Sequence, residues 1–442
     1  MIRLFFVLLI GKIIIFFSRL FNFGNGGTWP GEIALFLYPD ILREFIRKVD
    51  GEVVLVTGTN GKTTTAKMIK NITVSLSKSR GQNITIVHNE SGANLINGLI
   101  SAFIQKSSFI HNKYDYAVLE VDEAAIRPVL EQIKGLKTKF ILVFLNLFRD
   151  QLDRYGEVDA IADKWVRAIV NLPKTSILIL NADDPQVAFL GKNDLFDTVY
   201  FGLNSNIKSY SHLEDAIDSI YCPLCKAKLF YKKIFFSHLG LWFCEKCGNE
   251  RPITQTNNYI SSLLGTYNLY NVQAAAAVGK LLGASQSDIK LTLKEFIPVF
   301  GRQEELYVGQ KKIKIFLAKN PAGLNAILYT VLEMRPKNIL LVLNDRIPDG
   351  RDVSWIWDVD FEMIGKNVQI ITSGDRAFDM ALRLKYALKD NKNETKIIIE
   401  KNLERAVQRG LDMTEEKDTL YILPTYSAML EVRKIVSGKE IL

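Results

Sequence analysis

Short apolar runs alternate with longer amphipathic stretches along most of the chain. This alternation is typical of a mostly parallel sheet covered by helices. In the first half, an apolar strand leads into a glycine-rich turn and a helix predicted over residues 63–78. Another helix is predicted over residues 268–282. The strands predicted in this half are residues 52–56, 116–121, 140–146 and 176–181.

A second alternating series follows Phe300-Gly301-Arg302, and it predicts a separate doubly wound α/β domain of ordinary size. Its predicted strands lie near residues 312–317, 338–343, 368–372, 395–399 and 419–423. We therefore expect an N-terminal helix and lead-in over residues 1–49, a nucleotide-binding domain over 50–300, and a C-terminal domain over 301–442. A small module at about 220–252 interrupts the nucleotide-binding domain.

The first twenty residues are strongly apolar, interrupted by Gly11 and Lys12. Three interpretations stay open: a membrane-surface helix anchored by Arg3, Lys12 and Arg19, a helix buried against the protein, or a membrane span. Residues 24–31, which include Pro30, are predicted as a loop, and residues 38–48 as a short amphipathic helix.

Composition narrows the range of functions. The chain has 442 residues, is 48% hydrophobic and carries a formal charge of +8, which favours anionic partners without selecting one. Its four cysteines all fall in two CxxC pairs, a usage typical of metal sites in a reducing compartment. We therefore expect a cytoplasmic protein.

The turn after the first strand carries the clearest chemical motif, Thr-Gly-Thr-Asn-Gly-Lys-Thr-Thr over residues 57–64. Glycines let backbone amides approach phosphate oxygens, Lys62 supplies a positive charge, and the Thr63 hydroxyl is a magnesium ligand in such loops. The general phosphate-loop pattern would require glycine at Val56, so this compact form argues against ordinary kinases and GTPases. The alternative is an ordinary strand-to-helix turn. The predicted phosphate-binding residues are Gly58, Thr59, Asn60, Gly61, Lys62, Thr63 and Thr64.

Polar side chains follow three further predicted strands, at the edge where parallel sheets bind ligands. Glu120 ends one strand and is the candidate magnesium carboxylate. Asp150 and Asp153 follow the next strand, and Asp183 and Asp184 follow the third. A solvated strand end is the alternative for Glu120, but three such clusters favour one shared site.

Cys222, Cys225, Cys244 and Cys247 have the CxxC…CxxC spacing of a tetrahedral zinc site. Four thiolates leave no open coordination position, so the predicted metal is structural. We expect Tyr231, Phe235 and Trp242 to pack this ribbon. Redox cysteines and a nucleic-acid contact are the alternatives.

Taken together, these motifs resemble the Mur ligases. Residues 57–64, the pair Asp150 and Asp153, and residues 181–184, 265–275 and 300–304 stand in the order found in that family. A narrower resemblance is to its MurT-type members, and it spans nearly the whole chain. It rests on Arg-Asp-Gln-Leu-Asp-Arg-Tyr-Gly at 149–156, the four-cysteine ribbon, residues 319–323 and the block at 349–358.

The resemblance implies a Mur-ligase central domain with an inserted zinc ribbon and a C-terminal Rossmann-like domain. The implied activity is ATP-dependent amidation of the α-carboxylate of D-glutamate in the lipid II stem peptide, through an acyl phosphate. ATP, Mg²⁺ and a structural Zn²⁺ are the implied cofactors. The implied partner is a GatD-type glutaminase that supplies ammonia, and the implied location is the cytoplasmic face of the membrane. Nucleic acid is not an expected partner.

Residue roles follow from the same resemblance. Lys62 and Thr63 would bind the ATP phosphates and magnesium, and Glu120 would hold magnesium. The remaining residues of the nucleotide set are Asn268 and Asn271 near the base, Arg302 at the phosphates, and Asp184. Asp352 would orient the histidine of the partner's catalytic cysteine–histidine pair. The alternative is that Asp352 only caps a helix predicted to begin near Ser354.

Two departures from amino-acid-adding Mur ligases fit a lipid-linked substrate. Gln151 stands where those enzymes have histidine, and only a short lead-in precedes the phosphate loop. The chain itself offers no glutaminase site, because its cysteines are committed to the zinc pairs and its histidines suggest no nucleophile's base. Those histidines, His88, His111, His212 and His238, are expected to be structural or surface residues.

Two alternative functions stay open. A Mur-related or folylpolyglutamate-synthase-like ligase would add an amino acid instead of ammonia, although the block with Trp355 and Trp357 and the zinc ribbon speak against it. From another class, the chain could be a P-loop ATPase that moves a partner, or a zinc-ribbon binding module. ATP turnover without phosphate transfer to a carboxylate would support that second class.

Overall fold

The computed structural model describes residues 2–21, 27–108, 113–150, 158–208, 217–256, 258–298, 301–365, 367–389 and 396–438. Two six-stranded sheets dominate these residues, and a two-stranded hairpin accompanies the first sheet. Helices cover both large sheets, which confirms the predicted α/β class.

The first sheet is entirely parallel. Its strands are β1 (Val53–Thr57), β2 (Ile86–His88), β3 (Tyr116–Glu120), β4 (Phe140–Phe144), β5 (Ile177–Asn181) and β6 (Asp197–Phe201). Their spatial order is β2-β3-β1-β4-β5-β6, with β1 between β3 and β4. Every residue of β1 is buried, as expected for a central strand covered on both faces.

Helices lie on both faces of this sheet, in two separate hydrophobic cores. The helices of this half are α1 (Ile2–Leu20), α2 (Trp29–Leu37), α3 (Ile41–Ile46), α4 (Lys62–Ser79), α5 (Ile96–Lys106), α6 (Ile126–Ile133), α7 (Val158–Ile169), α8 (Pro185–Phe189), α9 (Thr266–Leu281) and α10 (Gln286–Lys294). Since β1 leads directly to α4, the loop between them opens at the carboxyl edge of the sheet.

Helix α1 is half-buried along its length. Val7, Leu8 and Ile15 belong to the core, and Gly11 lies against Ile104 of α5. Helix α2 runs antiparallel to α1, because Arg3 near the start of α1 donates a hydrogen bond to the carbonyl of Leu37 at the end of α2. Of the three interpretations of this segment, a helix buried against the rest of the protein therefore holds for one face of α1. None of the described helices has the length and apolarity needed to cross a membrane.

Two predictions for the N-terminal segment differ from the structure. The loop predicted over residues 24–31 runs into α2, which begins at Trp29 and buries Pro30 and Gly31. Proline has no amide hydrogen to lose in the first turn of a helix, so it marked the start of α2 and not a loop. The helix predicted over residues 38–48 is shorter, spanning Ile41–Ile46.

The second sheet has the order β13-β12-β11-β14-β10-β9. Its strands are β9 (Arg302–Val308), β10 (Lys311–Phe316), β11 (Asn338–Val342), β12 (Gln369–Ser373), β13 (Ile397–Ile399) and β14 (Thr419–Pro424), and its helices are α11 (Pro321–Glu333), α12 (Ala377–Ala387), α13 (Leu403–Met413) and α14 (Tyr426–Ser437). Two short 3₁₀ helices span Ser354–Asp358 and Phe361–Met363. All pairings are parallel except that of the edge strand β9 with β10.

The inserted module contains an antiparallel hairpin of β7 (Phe230–Phe236) and β8 (Leu239–Phe243). Trp242 packs with Cys222 and Cys244 in a small core of the module, with Tyr231 against it, as predicted. Phe235 instead joins the main core beneath the first sheet. The hairpin therefore belongs to both the ribbon and the body of the protein.

Candidate active site and four-cysteine centre

The backbone amides of the loop between β1 and α4 form hydrogen bonds with Asn146, in the segment after β4. The Thr59 amide donates to the Asn146 carbonyl at 3.0 Å, and the Asn60 amide donates to Asn146 Oδ1 at 2.8 Å. Gly61 has a φ of +90°, and a Cβ there would lie 2.1 Å from Asn271 Oδ1. Only glycine fits this turn, and no described side chain caps the helix that begins at Lys62. Such a helix start suits a phosphate group.

Lys62 is buried and turned back onto the loop. Its Nζ donates to the Gly58 carbonyl at 2.6 Å and to the Thr59 carbonyl at 3.3 Å. It also lies 2.8 Å from Glu123 Oε2. Burial opposes ionisation of Glu123, but the charges of Lys62 and Lys319 lower the pKa of that carboxyl below its usual value. Glu123 was not among the predicted site residues, although it follows β3 by only three residues.

Glu120 has the features of a cation ligand. It is buried at the end of β3, where Asn94 donates to its Oε1 at 3.2 Å. Its Oε2 is also buried and has no hydrogen-bond partner among the described residues. A buried carboxylate oxygen without a partner is costly unless a cation or a donor binds it. This observation fits a magnesium ion held by oxygen ligands.

Arg302, on β9 of the second sheet, contacts the start of α4. Its Nη2 donates to Thr63 Oγ1 at 3.2 Å. Burial lowers the pKa of the Arg302 guanidinium, while the negative charge of Glu120 acts to raise it. Three of the predicted residues, Thr63, Glu120 and Arg302, therefore come together although 239 positions separate Thr63 from Arg302 in sequence.

A cleft lies beside this loop, lined by residues from both halves of the chain. Asn268 and Asn271 are hydrogen-bonded to each other at 3.0 Å on its wall, and Asn271 Oδ1 accepts from Thr65. The structure thus brings six of the predicted nucleotide residues to one cleft. They are Asn60, Gly61, Thr64, Asn268, Asn271 and Arg302.

Two further contacts join the first half of the chain to the segment between β10 and α11. The side chains of Asn60 and Asn320 are hydrogen-bonded at 3.1 Å, and Lys319 forms an ion pair with Asp150. Burial raises the pKa of Asp150 above its usual value, against the charge of Lys319. The remainder of the predicted motif, including Gln151 and Asp153, lies outside the described residues.

Five of the predicted nucleotide residues do not line this cleft: Gly58, Thr59, Lys62, Thr63 and Asp184. Of these, Asp184 lies outside the phosphate loop. It is fully buried and caps α8, with Oδ1 accepting from the amides of Gln186 and Val187. Its Oδ2 accepts from the Leu147 amide at 2.9 Å, and His238 Nε2 lies 3.4 Å from the same oxygen. It does not line the cleft. These contacts give it a role in fixing the segment after β4.

Asp352 is also remote from the cleft lining. It is exposed, and its Oδ1 accepts from the Ser354 amide at 2.8 Å at the start of a 3₁₀ helix. This hydrogen bond lowers the pKa of the Asp352 carboxyl. Asp352 therefore makes a capping contact, and its exposure leaves the carboxylate accessible to another molecule.

Arg149 connects three parts of the protein. It forms an ion pair with Asp218, which precedes the four-cysteine module, and its backbone amide donates to the same carboxylate at 3.0 Å. Its Nη1 lies 3.4 Å from Asp358 Oδ2, at the end of the 3₁₀ helix that follows Asp352. Arg149 belongs to the motif at residues 149–156, but the motif alone does not predict these partners.

The four cysteine sulfurs gather in one cluster, all within 4.8 Å of one another. Cys222 Sγ lies 3.7 Å from Cys247 Sγ, and Cys225 Sγ lies 3.5 Å from Cys244 Sγ. A tetrahedral zinc with Zn–S bonds of about 2.3 Å requires sulfur separations of about 3.8 Å. The cluster is therefore compatible with zinc.

The module is anchored to the end of β5. Trp242 Nε1 donates to the Ala182 carbonyl at 2.9 Å, and Arg251 Nε lies 2.5 Å from Asp183 Oδ1. The Tyr270 hydroxyl donates to Asp183 Oδ2 at 2.8 Å, which joins the module to α9, the helix that carries Asn268 and Asn271.

Two protein families match the chain. Residues 56–279 match the Mur ligase middle domain, and residues 317–429 match the MurT ligase C-terminal domain. The first match covers the phosphate loop, the cysteine cluster and the asparagine pair of the cleft.

Curated relatives extend the similarity to most of the chain. It is 35% identical over 427 residues to the MurT subunit of the glutamine-hydrolyzing lipid II isoglutaminyl synthase of Staphylococcus aureus, with 92% of each chain covered. It is also 35% identical over 442 residues to the corresponding subunit of Streptococcus pneumoniae, covering 95% of this chain and 94% of the relative.

Solved structures of more distant proteins share the fold. A pseudomurein peptide ligase type C from Methanothermus fervidus superposes with a TM-score of 0.65 at 24% identity, covering 90% of this chain and 80% of that one. MurF from Acinetobacter baumannii superposes with a TM-score of 0.62 at 17% identity, covering 92% and 80%.

Proposed function

Because the chain belongs to the Mur ligase family and to its MurT group, we propose that it is the ligase subunit of a lipid II isoglutaminyl synthase. It uses ATP to convert the α-carboxylate of D-glutamate in the lipid II stem peptide to the amide of D-isoglutamine. The observation that carries the proposal is the hydrogen bond between Arg302 and Thr63, with Glu120 close enough for its charge to act on the Arg302 guanidinium. It occurs in a chain that matches MurT subunits over more than nine-tenths of its length.

The reaction has two steps. A carboxylate oxygen attacks the γ-phosphorus of ATP, so the bond to ADP breaks and an acyl phosphate forms. Ammonia then attacks the carbonyl carbon, the C–O bond to phosphate breaks, and phosphate leaves with that electron pair while nitrogen loses a proton. Positioning and charge stabilisation are the main tasks of the protein in such a transfer.

The loop residues Gly58 to Thr64 hold the phosphates in this proposal. Lys62 provides a charge next to the amides at the start of α4, and Arg302 provides a second charge from the other sheet. Mg²⁺ would neutralise charge on the phosphates, with Thr63 and the free oxygen of Glu120 as its protein ligands. Asn268 and Asn271 would contact the base. Asp184 would act indirectly, because it binds the Leu147 amide in the segment after β4, and that segment contacts the phosphate loop.

A structural zinc completes the inserted module in this proposal. Cys222, Cys225, Cys244 and Cys247 are its ligands, and the sulfur separations support that assignment. The domain boundaries of the proposal are 1–49, 50–300 and 301–442. The division of the strands between two large sheets supports the boundary near residue 301.

Ammonia comes from a GatD-type glutaminase subunit in this proposal. The described histidines support that division of labour: His88 lies 2.7 Å from a backbone carbonyl, and His238 is buried beside Asp184. Asp352 is exposed, and its lowered pKa keeps it ionised, so it can orient a histidine of the partner. The complex works at the cytoplasmic face of the membrane, where its lipid-linked substrate is found.

The test is an incubation of the full chain with lipid II, ATP and ammonium chloride, followed by mass spectrometry of the stem peptide. We expect the small decrease in mass that accompanies replacement of a carboxyl OH by NH₂, dependent on ATP. A gain of mass with a supplied amino acid would identify an amino-acid-adding ligase instead. ATP hydrolysis with no change in lipid II would identify an ATPase.

A further inference from the structure

The two N-terminal helices, α1 and α2, expose a set of large apolar side chains. On the outward face of α1 and α2, large apolar side chains are exposed where a protein surface in water would carry polar ones. They are Phe5, Phe6, Leu9, Ile10, Ile13, Phe16, Phe17, Leu20, Trp29, Ile33 and Phe36. We call this set the N-terminal apolar face.

Both helices present this face on the same side. Each packs on α5, and they run antiparallel to each other, so their outward surfaces form one layer. The inward side of α1 is committed to the core through Val7, Leu8 and Ile15. The face therefore cannot turn inward without breaking an existing core.

The charges around the face favour an anionic surface. The chain carries Arg3, Lys12 and Arg19 in its first 31 residues and no acidic residue before Glu32. Two copies of the face pressed together would put twice this positive charge at one interface, while residues 1–31 supply no carboxylate to neutralise it. An anionic lipid headgroup layer supplies the missing negative charge, and its acyl region takes the apolar side chains.

We propose that the N-terminal apolar face docks on the surface of an anionic lipid bilayer, with α1 and α2 lying in the plane of the membrane. This proposal rests on the proposed function, because docking would hold the ligase cleft near a lipid-linked substrate. Six of the eleven residues of the face are aromatic, and tryptophan, phenylalanine and leucine are typical of the apolar face of helices that lie in a membrane surface. Lys12, whose Nζ lies 3.0 Å from the Gln105 carbonyl, borders a groove formed with Ile15, Phe16 and Leu20.

The experiment is flotation of the full chain with vesicles of phosphatidylcholine alone or with one quarter phosphatidylglycerol. The test variant combines Phe6→Ser, Phe16→Ser and Phe36→Ser, which are 55%, 62% and 86% exposed. The matched control combines Ile347→Ser, Phe378→Ser and Leu382→Ser in the C-terminal half, which are 74%, 63% and 48% exposed. Because all six side chains are exposed, both variants should keep the fold of the wild type.

We expect the wild type and the control to float with the anionic vesicles. The affinity of the test variant for these vesicles should be lower by a factor of about ten or more. Binding to neutral vesicles should be weaker for all three proteins. Equal binding by the test variant and the control overturns the proposal. A lipid-free mass that is dimeric for the wild type and monomeric for the test variant would also overturn it, since a second copy would then cover the face.

Activity separates this proposal from the proposed function. With lipid II in detergent micelles, the test variant should amidate as fast as the control, whereas with lipid II in anionic vesicles it should be slower. If no protein amidates lipid II in either form, the proposed function fails while the vesicle-binding result still decides the docking proposal. Equal rates on vesicles for the test variant and the control contradict the docking role.

Discussion

Nζ of Lys62 and Oε2 of Glu123 form a buried ion pair, 2.8 Å apart, beneath the loop between the first strand and helix α4. The lysine also donates to the carbonyls of Gly58 and Thr59, so its position is fixed by three acceptors. Removing one member of a buried pair leaves the other charge without compensation, which costs more than removing both. Lys62 therefore has a structural role besides its proposed contact with phosphate.

Lys62→Ala should abolish ATP-dependent amidation and also lower the free energy of unfolding by about 3 kcal/mol. The double variant Lys62→Ala/Glu123→Gln should recover most of that stability and none of the activity. Lys70→Ala, on the exposed side of the same helix, is the control and should leave both nearly unchanged. Chemical denaturation and an amidation assay measure the two effects. Normal turnover by Lys62→Ala would refute the loop assignment.

The same pair predicts a pH effect on stability. Lys62 and Lys319 hold the folded-state pKa of Glu123 below its usual value, despite burial. Glu123 therefore contributes stability that is fully present above the unfolded-state pKa of about 4.3 and is lost as pH falls through the lower folded-state value. The stability difference between wild type and Glu123→Gln should thus shrink as the pH is lowered below about 4. A difference that grows on acidification would contradict this pairing.

One zinc should be bound per chain. Elemental analysis of the purified protein measures it, and Cys225→Ser should lose the metal and unfold at a lower temperature. Glu245→Ser, an exposed change between Cys244 and Cys247, is the control and should retain the zinc. Protein that contains no zinc and resists chelators without loss of stability would remove this assignment.

Asp352→Asn should abolish glutamine-dependent amidation by the two-subunit complex and spare amidation driven by added ammonium. The reason is that an amide cannot stabilise a histidine cation as a carboxylate does. Asp412→Asn, an exposed change on α13, is the control. Loss of both activities in Asp352→Asn would point to a structural role through the Ser354 contact.

The strands and the phosphate loop were predictable because their signals are local. The apolar runs at residues 52–56 and 338–343 give strands within about a residue of those observed, Val53–Thr57 and Asn338–Val342. The four cysteines were predictable for the same reason, since their spacing alone brings two pairs of thiols together. Helix α2 was missed because Pro30 was taken as a loop residue when it stands in the first turn of a helix.

Contacts between distant segments could not be predicted from the sequence. The hydrogen bond between Asn60 and Asn320 joins residues 260 positions apart. Arg149 pairs with Asp218 and with Asp358, and these contacts likewise depend on how the inserted module and the second sheet pack against the first sheet. Glu123 was one of three acidic residues near the end of β3, and only the geometry distinguishes the one paired with Lys62.

The central claim is that this chain phosphorylates a carboxylate of its substrate before ammonia attacks. The most direct measurement uses lipid II with ¹⁸O in the α-carboxylate of D-glutamate, together with ATP and ammonium, and follows the isotope in the released phosphate. The acyl-phosphate route predicts one ¹⁸O transferred to phosphate for each amide formed. Amide formation with unlabelled phosphate would contradict it.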